Sequence, residues 1–184
     1  MSHTPRVIAI VGMPGAGKSL ASAFFRDHEV PVLRFGDQTD SGLREAGLEK
    51  NEKNERIYRE QIRRELGMAA MAIKIEPRVQ EALQKHELVV LDGLYSWEEF
   101  VYLQKKFTGI KLLCIWAPKE MRYTRLKHRN DRPLTLEEAE SRDIAEITNL
   151  HKGGPIAYAD LLIENNGSKE DLCIKLEHLL HLDE

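Results

Sequence analysis

The chain has 184 residues, 42% of them hydrophobic, enough for one domain with a sizeable core and no need of disulfide or metal staples. Its 27 Lys and Arg against 30 Asp and Glu leave a formal charge of -3, which excludes a global pull toward nucleic acid or anionic membranes and makes any phosphate recognition local. No apolar run approaches the roughly 20 residues that cross a bilayer, and Cys114 and Cys173 stand far apart in apolar stretches that suit buried, reduced thiols rather than a disulfide or metal framework.

Met1 to Pro5 is short and polar, with no leader pattern, so a cytoplasmic location is expected. Arg6 to Val11 reads as a strand buried on both faces, and a helix follows over about Gly17 to Asp27. Val32 to Phe35 is the second strand. Helical patterns then occupy Asn51 to Leu66 and Met68 to His86, the latter expected to be divided in two by Pro77. Leu88 to Leu91 is a third strand, Trp97 to Phe107 a helix, and Lys111 to Trp116 a fourth strand. Pro118 suits the first position of a helix running to Arg129. Thr135 with Glu138 forms a capping box for a helix over Leu136 to Asn149. Leu161 to Ile163 is the last strand, and Ser168 with Asp171 starts a helix from Lys169 to Leu182. Strands alternating with helices imply an α/β fold, a parallel sheet covered by helices, with the ligand site at the carboxyl ends of the strands.

The strongest chemical signal is Gly12-Met13-Pro14-Gly15-Ala16-Gly17-Lys18-Ser19, which fits G-x-x-x-x-G-K-[ST] directly between a strand and a helix. Gly12, Gly15 and Gly17 allow backbone conformations in which successive N–H groups cradle an anion, and the helix dipole adds to the attraction. Lys18 is expected to reach the β- and γ-phosphates of ATP, and the Ser19 hydroxyl to join the shell of Mg²⁺. The expected nucleotide contacts are thus Gly12, Pro14, Gly15, Ala16, Gly17, Lys18, Ser19 and Leu20. The bland reading, a glycine-rich turn without a ligand, has no use for both Lys18 and Ser19.

Asp92, at the end of an apolar strand, is a second metal candidate, directly or through water; its competing reading is a turn former in Asp92-Gly93. No Glu follows Asp92 and no Asn-Lys-x-Asp occurs, which counts against a motor ATPase and a guanine-reading switch. Arg122, Arg125 and Arg129 are spaced to share a helix face, with Arg132 just beyond, and such a face can grip phosphate; a solvated face balanced by Glu120, Glu137, Glu138 and Glu140 is the alternative.

On Val11 to Ser19, Arg34-Phe35-Gly36-Asp37, Arg64 to Met68, Leu91-Asp92-Gly93, Arg125 to Arg129 and Ala159 to Asn165, the chain resembles the small P-loop kinases of the adenylate kinase and dephospho-CoA kinase group, especially their poorly characterised archaeal members. The resemblance covers nearly the whole chain and implies a three-layer P-loop fold with a five-stranded parallel sheet in a single domain, residues 1–184. It also implies a mobile lid, about 122–142, carrying Arg125, Arg129 and Arg132, and acceptor-binding helices, about 37–86. The loop from Asn165 to Ser168 is implied to lie near the adenine. Two arginines with which such kinases clamp an acceptor phosphate are missing: Asp40 stands at one position, with Arg44 only further on, and Leu94-Tyr95-Ser96 at the other. Asp37 stands where dephospho-CoA kinases carry a base, which favours a hydroxyl acceptor. Arg44, Arg63, Asp92 and Tyr95 complete the expected acceptor side, and Lys18, Asp37, Arg125 and Arg129 the catalytic set. The expected activity is ATP- and Mg²⁺-dependent phosphoryl transfer to a small nucleotide-like molecule, by a monomer or homodimer that binds neither nucleic acid nor membrane. The alternative is an ATP-binding regulator with slow hydrolysis.

Overall fold

The computed structural model describes residues 6–180. The amino-terminal reading of Met1 to Pro5 and the end of the last helix at Leu182 lie outside the described residues. The chain runs β1 (Arg6–Val11), α1 (Lys18–Asp27), β2 (Val32–Arg34), α2 (Gly36–Glu45), α3 (Glu52–Leu66), α4 (Ala70–Leu83), β3 (Leu88–Asp92), α5 (Trp97–Lys106), β4 (Lys111–Trp116), α6 (Lys119–Lys127), α7 (Leu136–Leu150), α8 (Gly153–Ala157), β5 (Leu161–Glu164) and α9 (Lys169–Leu180). The strands form one parallel sheet in the order β2-β3-β1-β4-β5.

Helices cover both faces because the strands are apolar on both. On one face Val7, Ala9, Val89, Leu91 and Leu112 pack with Ile75 and Val79 of α4 and Phe100 and Leu103 of α5. On the other, Ile8, Ile10, Val90 and Leu113 pack with Phe24 and Phe25 of α1 and Leu172 and Leu176 of α9. Buried at roughly 25 cal/mol per Å² of apolar surface, these layers hold the sheet. The sheet holds the site, because β1 lies between β3 and β4, with Ile10 opposite Asp92 and Val11 opposite Cys114. The chain leaves β1 at the point where the strand order diverges, which is where open α/β sheets place their ligands.

Several local expectations need correction. Pro77 does not divide α4, which is one helix with the proline inside it. Met71, Ala72, Ile75 and Val79 form one buried face on both sides of Pro77, and their burial offsets the roughly 3 kcal/mol that an interior proline costs. Pro118 is the N-cap, not the first helical residue, with ψ at 145°. Gly36–Glu45 is a helix the apolar pattern does not announce, since its inner face is built from Gln38, Thr39, Gly42 and Leu43. The short α8 is likewise unannounced. Cys114 is buried but Cys173 is exposed, both as free thiols. The capping boxes at Thr135 and Glu138 and at Ser96 and Glu99 are both formed. The second lay in the sequence as Ser-x-x-Glu and escaped reading. Among the described residues no helix is long and apolar enough to cross a membrane.

Candidate active site

Gly12, Gly15 and Gly17 have φ values of 139°, 77° and 108°, a region that disfavours residues with a Cβ. The packing closes the same positions. A methyl group on Gly12 would run into the carbonyl oxygen of Ile115, one on Gly15 into that of Arg122, and one on Gly17 into the amide of Asn165. The loop therefore turns tightly against α6 and the ends of β4 and β5. The N–H groups of Gly15, Gly17, Lys18 and Ser19 donate to no carbonyl or side chain among the described residues. Unpaired donors at a helix start form the electropositive concavity that suits a phosphate, so the residues present fit a polyphosphate.

Lys18 folds back over this loop, its Nζ donating to Gly12 O at 2.8 Å and Met13 O at 3.1 Å. Burial, with the nearby Lys152 charge, pushes its ammonium down to about 7, against the pull of Glu146 and Asp92. Ser19 is exposed at the start of α1, and Asp92 closes β3 at the same end of the sheet. Gly93 has a φ of 97° and carries the chain away toward Tyr95. Leu20 follows Ser19 on the exposed side of α1.

The arginines do not share one face. Arg122 is buried: its guanidinium pairs with Asp143 of α7 at 3.1 and 2.6 Å and donates to Pro14 O at 2.9 Å. This arginine is a strut between the α6–α7 hairpin and the phosphate loop. α6 ends at Lys127, which puts Arg129 beyond the helix, and Arg129 and Arg132 are exposed in the connection to α7. Arg125 donates through Nη2 to Asn165 O at 2.9 Å, and its buried Nη1 has no partner. Asn165, 3% exposed, donates to Ala16 O at 2.8 Å. The loop after β5 is thereby tied to the phosphate loop, a role that the sequence did not reveal.

On the other side of the sheet ends, Asp37 in the first turn of α2 faces two guanidinium groups. Arg78 of α4 lies 3.3 Å from one of its oxygens and Arg34 3.7 Å from the other. Arg78 escaped sequence reading because it belongs to a helix whose register against α2 is set only by folding. Arg44 donates to Ser41 Oγ at 3.2 Å and does not reach Asp37, while Asp40 pairs with Lys50 at 2.7 Å. Arg63 has a buried Nε without a partner and faces the field of Glu99, whose carboxyl burial pushes up to about 7 against the opposing N–H groups of Tyr95 and Ser96.

Between the two sides stands a cluster centred on Lys152. Its Nζ meets the Glu146 carboxylate and lies 4.4 Å from the centre of the Tyr95 ring. Burial raises the Tyr95 hydroxyl above its ordinary range, and the Glu146 charge adds to that. Burial lowers the Lys152 ammonium, opposed by Glu146. For Glu146 burial works upward, but Lys152 and Arg142 outweigh it and hold the carboxyl low.

A parallel sheet ordered 2-3-1-4-5 with a glycine cradle at the end of its central strand defines a P-loop protein of the kinase-like type. Residues 8–146 match the family model described as an AAA domain. The chain belongs to this P-loop family and groups with the UPF0200 proteins: it is 34% identical to the UPF0200 protein of Pyrococcus abyssi, over 96% of this chain and 98% of that one. Among solved structures it is similar to TT1252 from Thermus thermophilus, with a TM-score of 0.66 and 25% identity over 97% of each chain. It also shares its fold with the shikimate kinase of Acinetobacter baumannii, with a TM-score of 0.57 and 18% identity, covering 98% of this chain and 95% of that one.

Proposed function

We propose that this protein is an ATP- and Mg²⁺-dependent kinase whose acceptor is a small, nucleotide-like molecule bearing a hydroxyl group. The observation that carries the reading is the set of N–H groups of Gly15, Gly17, Lys18 and Ser19 without a protein acceptor among the described residues, close to the Lys18 ammonium and the Asp92 carboxylate. Gly12, Pro14, Gly15, Ala16, Gly17 and Leu20 shape the cradle. Ser19 and Asp92 would hold Mg²⁺, Asp92 through water. Mg²⁺ bound with nucleotide takes most of its ligands from phosphate and water, so two protein ligands suffice.

When bound, Mg·ATP supplies the phosphoryl group and an ion that neutralises its charge. Lys18 leaves the Gly12 and Met13 carbonyls and donates to phosphate oxygens. Arg125, with its free Nη1, and Arg129 and Arg132 in the α6–α7 connection close over the triphosphate as a lid. On the acceptor side Asp37 accepts the proton of the attacking hydroxyl, which requires Arg34 or Arg78 to release one of its oxygens. Arg63 and Tyr95 border the acceptor, and Arg44 lies at its edge. The chain acts as one domain with acceptor helices over 37–86 and a lid over 122–142.

The test is ADP release with nucleosides, nucleoside monophosphates and dephospho-CoA offered in turn. Release that depends strongly on one acceptor, and that falls by about 10²- to 10⁴-fold in Asp37→Asn while Mg·ATP binding persists, is the expected result. Slow release indifferent to every acceptor would replace the kinase with an ATP-binding regulator. Unchanged turnover in Asp37→Asn would remove Asp37 as the base.

A further inference from the structure

Lys152 is the least expected residue near the phosphate loop. A lysine ammonium is among the groups least often buried, yet this residue is 1% exposed and belongs to the buried set. Its support is rigid. The segment that carries it is fastened to α5 by the His151 to Glu98 ion pair at 2.8 Å and by Gly154, whose missing Cβ leaves room for the Trp97 ring at 3.0 Å. Its counter-ion stands six positions earlier: Glu146 lies near the end of α7, accepts through its carbonyl from the Lys152 N–H at 3.2 Å, and shares a helix that Arg122 and Asp143 join to α6 and to Pro14. Cation and anion thus belong to one stretch of chain, the end of α7 and the turn that follows it.

The charges around it do not close among themselves. Lys18, Lys152 and Arg142 face Glu146 and Asp92, while Asp143, the other carboxylate that acts on Lys152, is taken by Arg122. Arg142 binds Glu146 at 3.0 Å, and the Lys152 ammonium reaches the same carboxylate while lying over Tyr95. Two ammonium groups that feel each other's charge beside unpaired N–H donors are mutually unfavourable until an anion with several oxygens joins them. What sets Glu146 apart from the two-cation carboxylate at Asp37 is a third cation, Lys18, within its field.

We propose that Lys152 is a second ammonium of the phosphoryl site, exchanging Glu146 for the oxygens of the transferred group and gripping that group together with Lys18. The proposal rests on the kinase reading above. Lys152 forms no covalent bond and keeps its three protons; it donates hydrogen bonds to the equatorial oxygens over which the charge of the phosphoryl group is spread as it passes from donor to acceptor. Glu146, released, stays paired with Arg142. The ligand class that Lys152 recognises is the terminal phosphoryl group of a nucleoside triphosphate, absent from a diphosphate.

Isothermal calorimetry of the full chain with Mg²⁺ and either a non-hydrolysable ATP analogue or ADP tests this directly. K152M should weaken the triphosphate analogue by about 10-fold or more and change ADP by less than about 2-fold, with K152R recovering part of the loss. Since K152M leaves Glu146 partly unpaired, the K152M/E146Q variant removes both charges. The same selective loss is expected there, with melting within a few degrees of wild type. Equal weakening of both nucleotides, or of neither, in a folded variant overturns the proposal and makes Lys152 structural. A wild-type chain that binds neither nucleotide overturns the kinase reading itself, and the two failures are thereby told apart.

Discussion

The proposed donor and acceptor sides of the site are built from different material. On the donor side the walls are backbone: three glycines at positive φ, their N–H neighbours, and contacts so close that a single methyl group would collide with Ile115, Arg122 or Asn165. On the acceptor side the walls are charged side chains, and most of them are paired with one another: Asp37 with Arg34 and Arg78, Asp40 with Lys50, Arg59 with Glu55 at 3.3 Å. A backbone wall holds its shape whatever arrives. A wall of exposed ion pairs can exchange partners at a cost of about 1 kcal/mol each, which suits recognition of a molecule that brings its own charges.

The contrast can be broken at its rigid end first. Gly12→Val should abolish Mg·ATP binding and lower the melting temperature strongly, because the side chain meets the Ile115 carbonyl in a backbone conformation closed to valine. A variant that still bound nucleotide with wild-type affinity would show that the cradle is softer than its packing implies. Next comes the strut. Arg122→Met strands the buried Asp143 carboxylate and should cost about 3–5 kcal/mol in chemical denaturation. A loss under about 1 kcal/mol would mean that the hairpin is not anchored through this pair.

The seam between the two sides answers to pH. Glu99 is 1% exposed and its folded-state carboxyl lies at about 7, above the ordinary 4.5. Between those values the folded protein holds a proton that the unfolded chain has released. Stability is therefore highest below pH 4.5 as far as this group is concerned, and about 3 kcal/mol of it disappears as pH rises toward 7. Glu99→Gln should flatten that part of the profile, as read from denaturant midpoints across the range; an unchanged slope would assign it to other groups. The smallest effect belongs to the acceptor surface. Lys50→Ala removes an exposed pair with Asp40 and should alter stability by no more than about 0.5 kcal/mol. A larger loss would show that this wall is as rigid as the other.

The same contrast explains what the sequence disclosed. The cradle from Gly12 to Ser19 was legible because its chemistry is local: glycine, lysine and serine act on the loop that contains them, and the strand before and helix after supply the context. The strands were legible because β1, β3 and β4 are buried on both faces as continuous apolar runs, and the edge strands β2 and β5, though partly exposed, keep short apolar runs of their own. Arg122 was read as a phosphate ligand because helical spacing alone cannot tell a guanidinium aimed outward from one aimed at Asp143, twenty-one positions further on. Arg78 and Lys152, and the tie of Asn165 to Ala16, were overlooked for a related reason. Each is ordinary in its own segment and takes on meaning only from a neighbour supplied by another element. Helix α2 was overlooked because it buries Gln38, Thr39 and a glycine, not an apolar stripe.

One guanidinium group, that of Arg122, touches both the Pro14 carbonyl and the carboxylate that anchors α7. Pro14 lies within the stretch bounded by Gly12 and Gly15, two glycines at positive φ packed against Ile115 and Arg122. The arginine therefore works as an axle: a swing of the hairpin must either pivot about it or tug on the loop, so that nucleotide grip and hairpin posture become one mechanical variable.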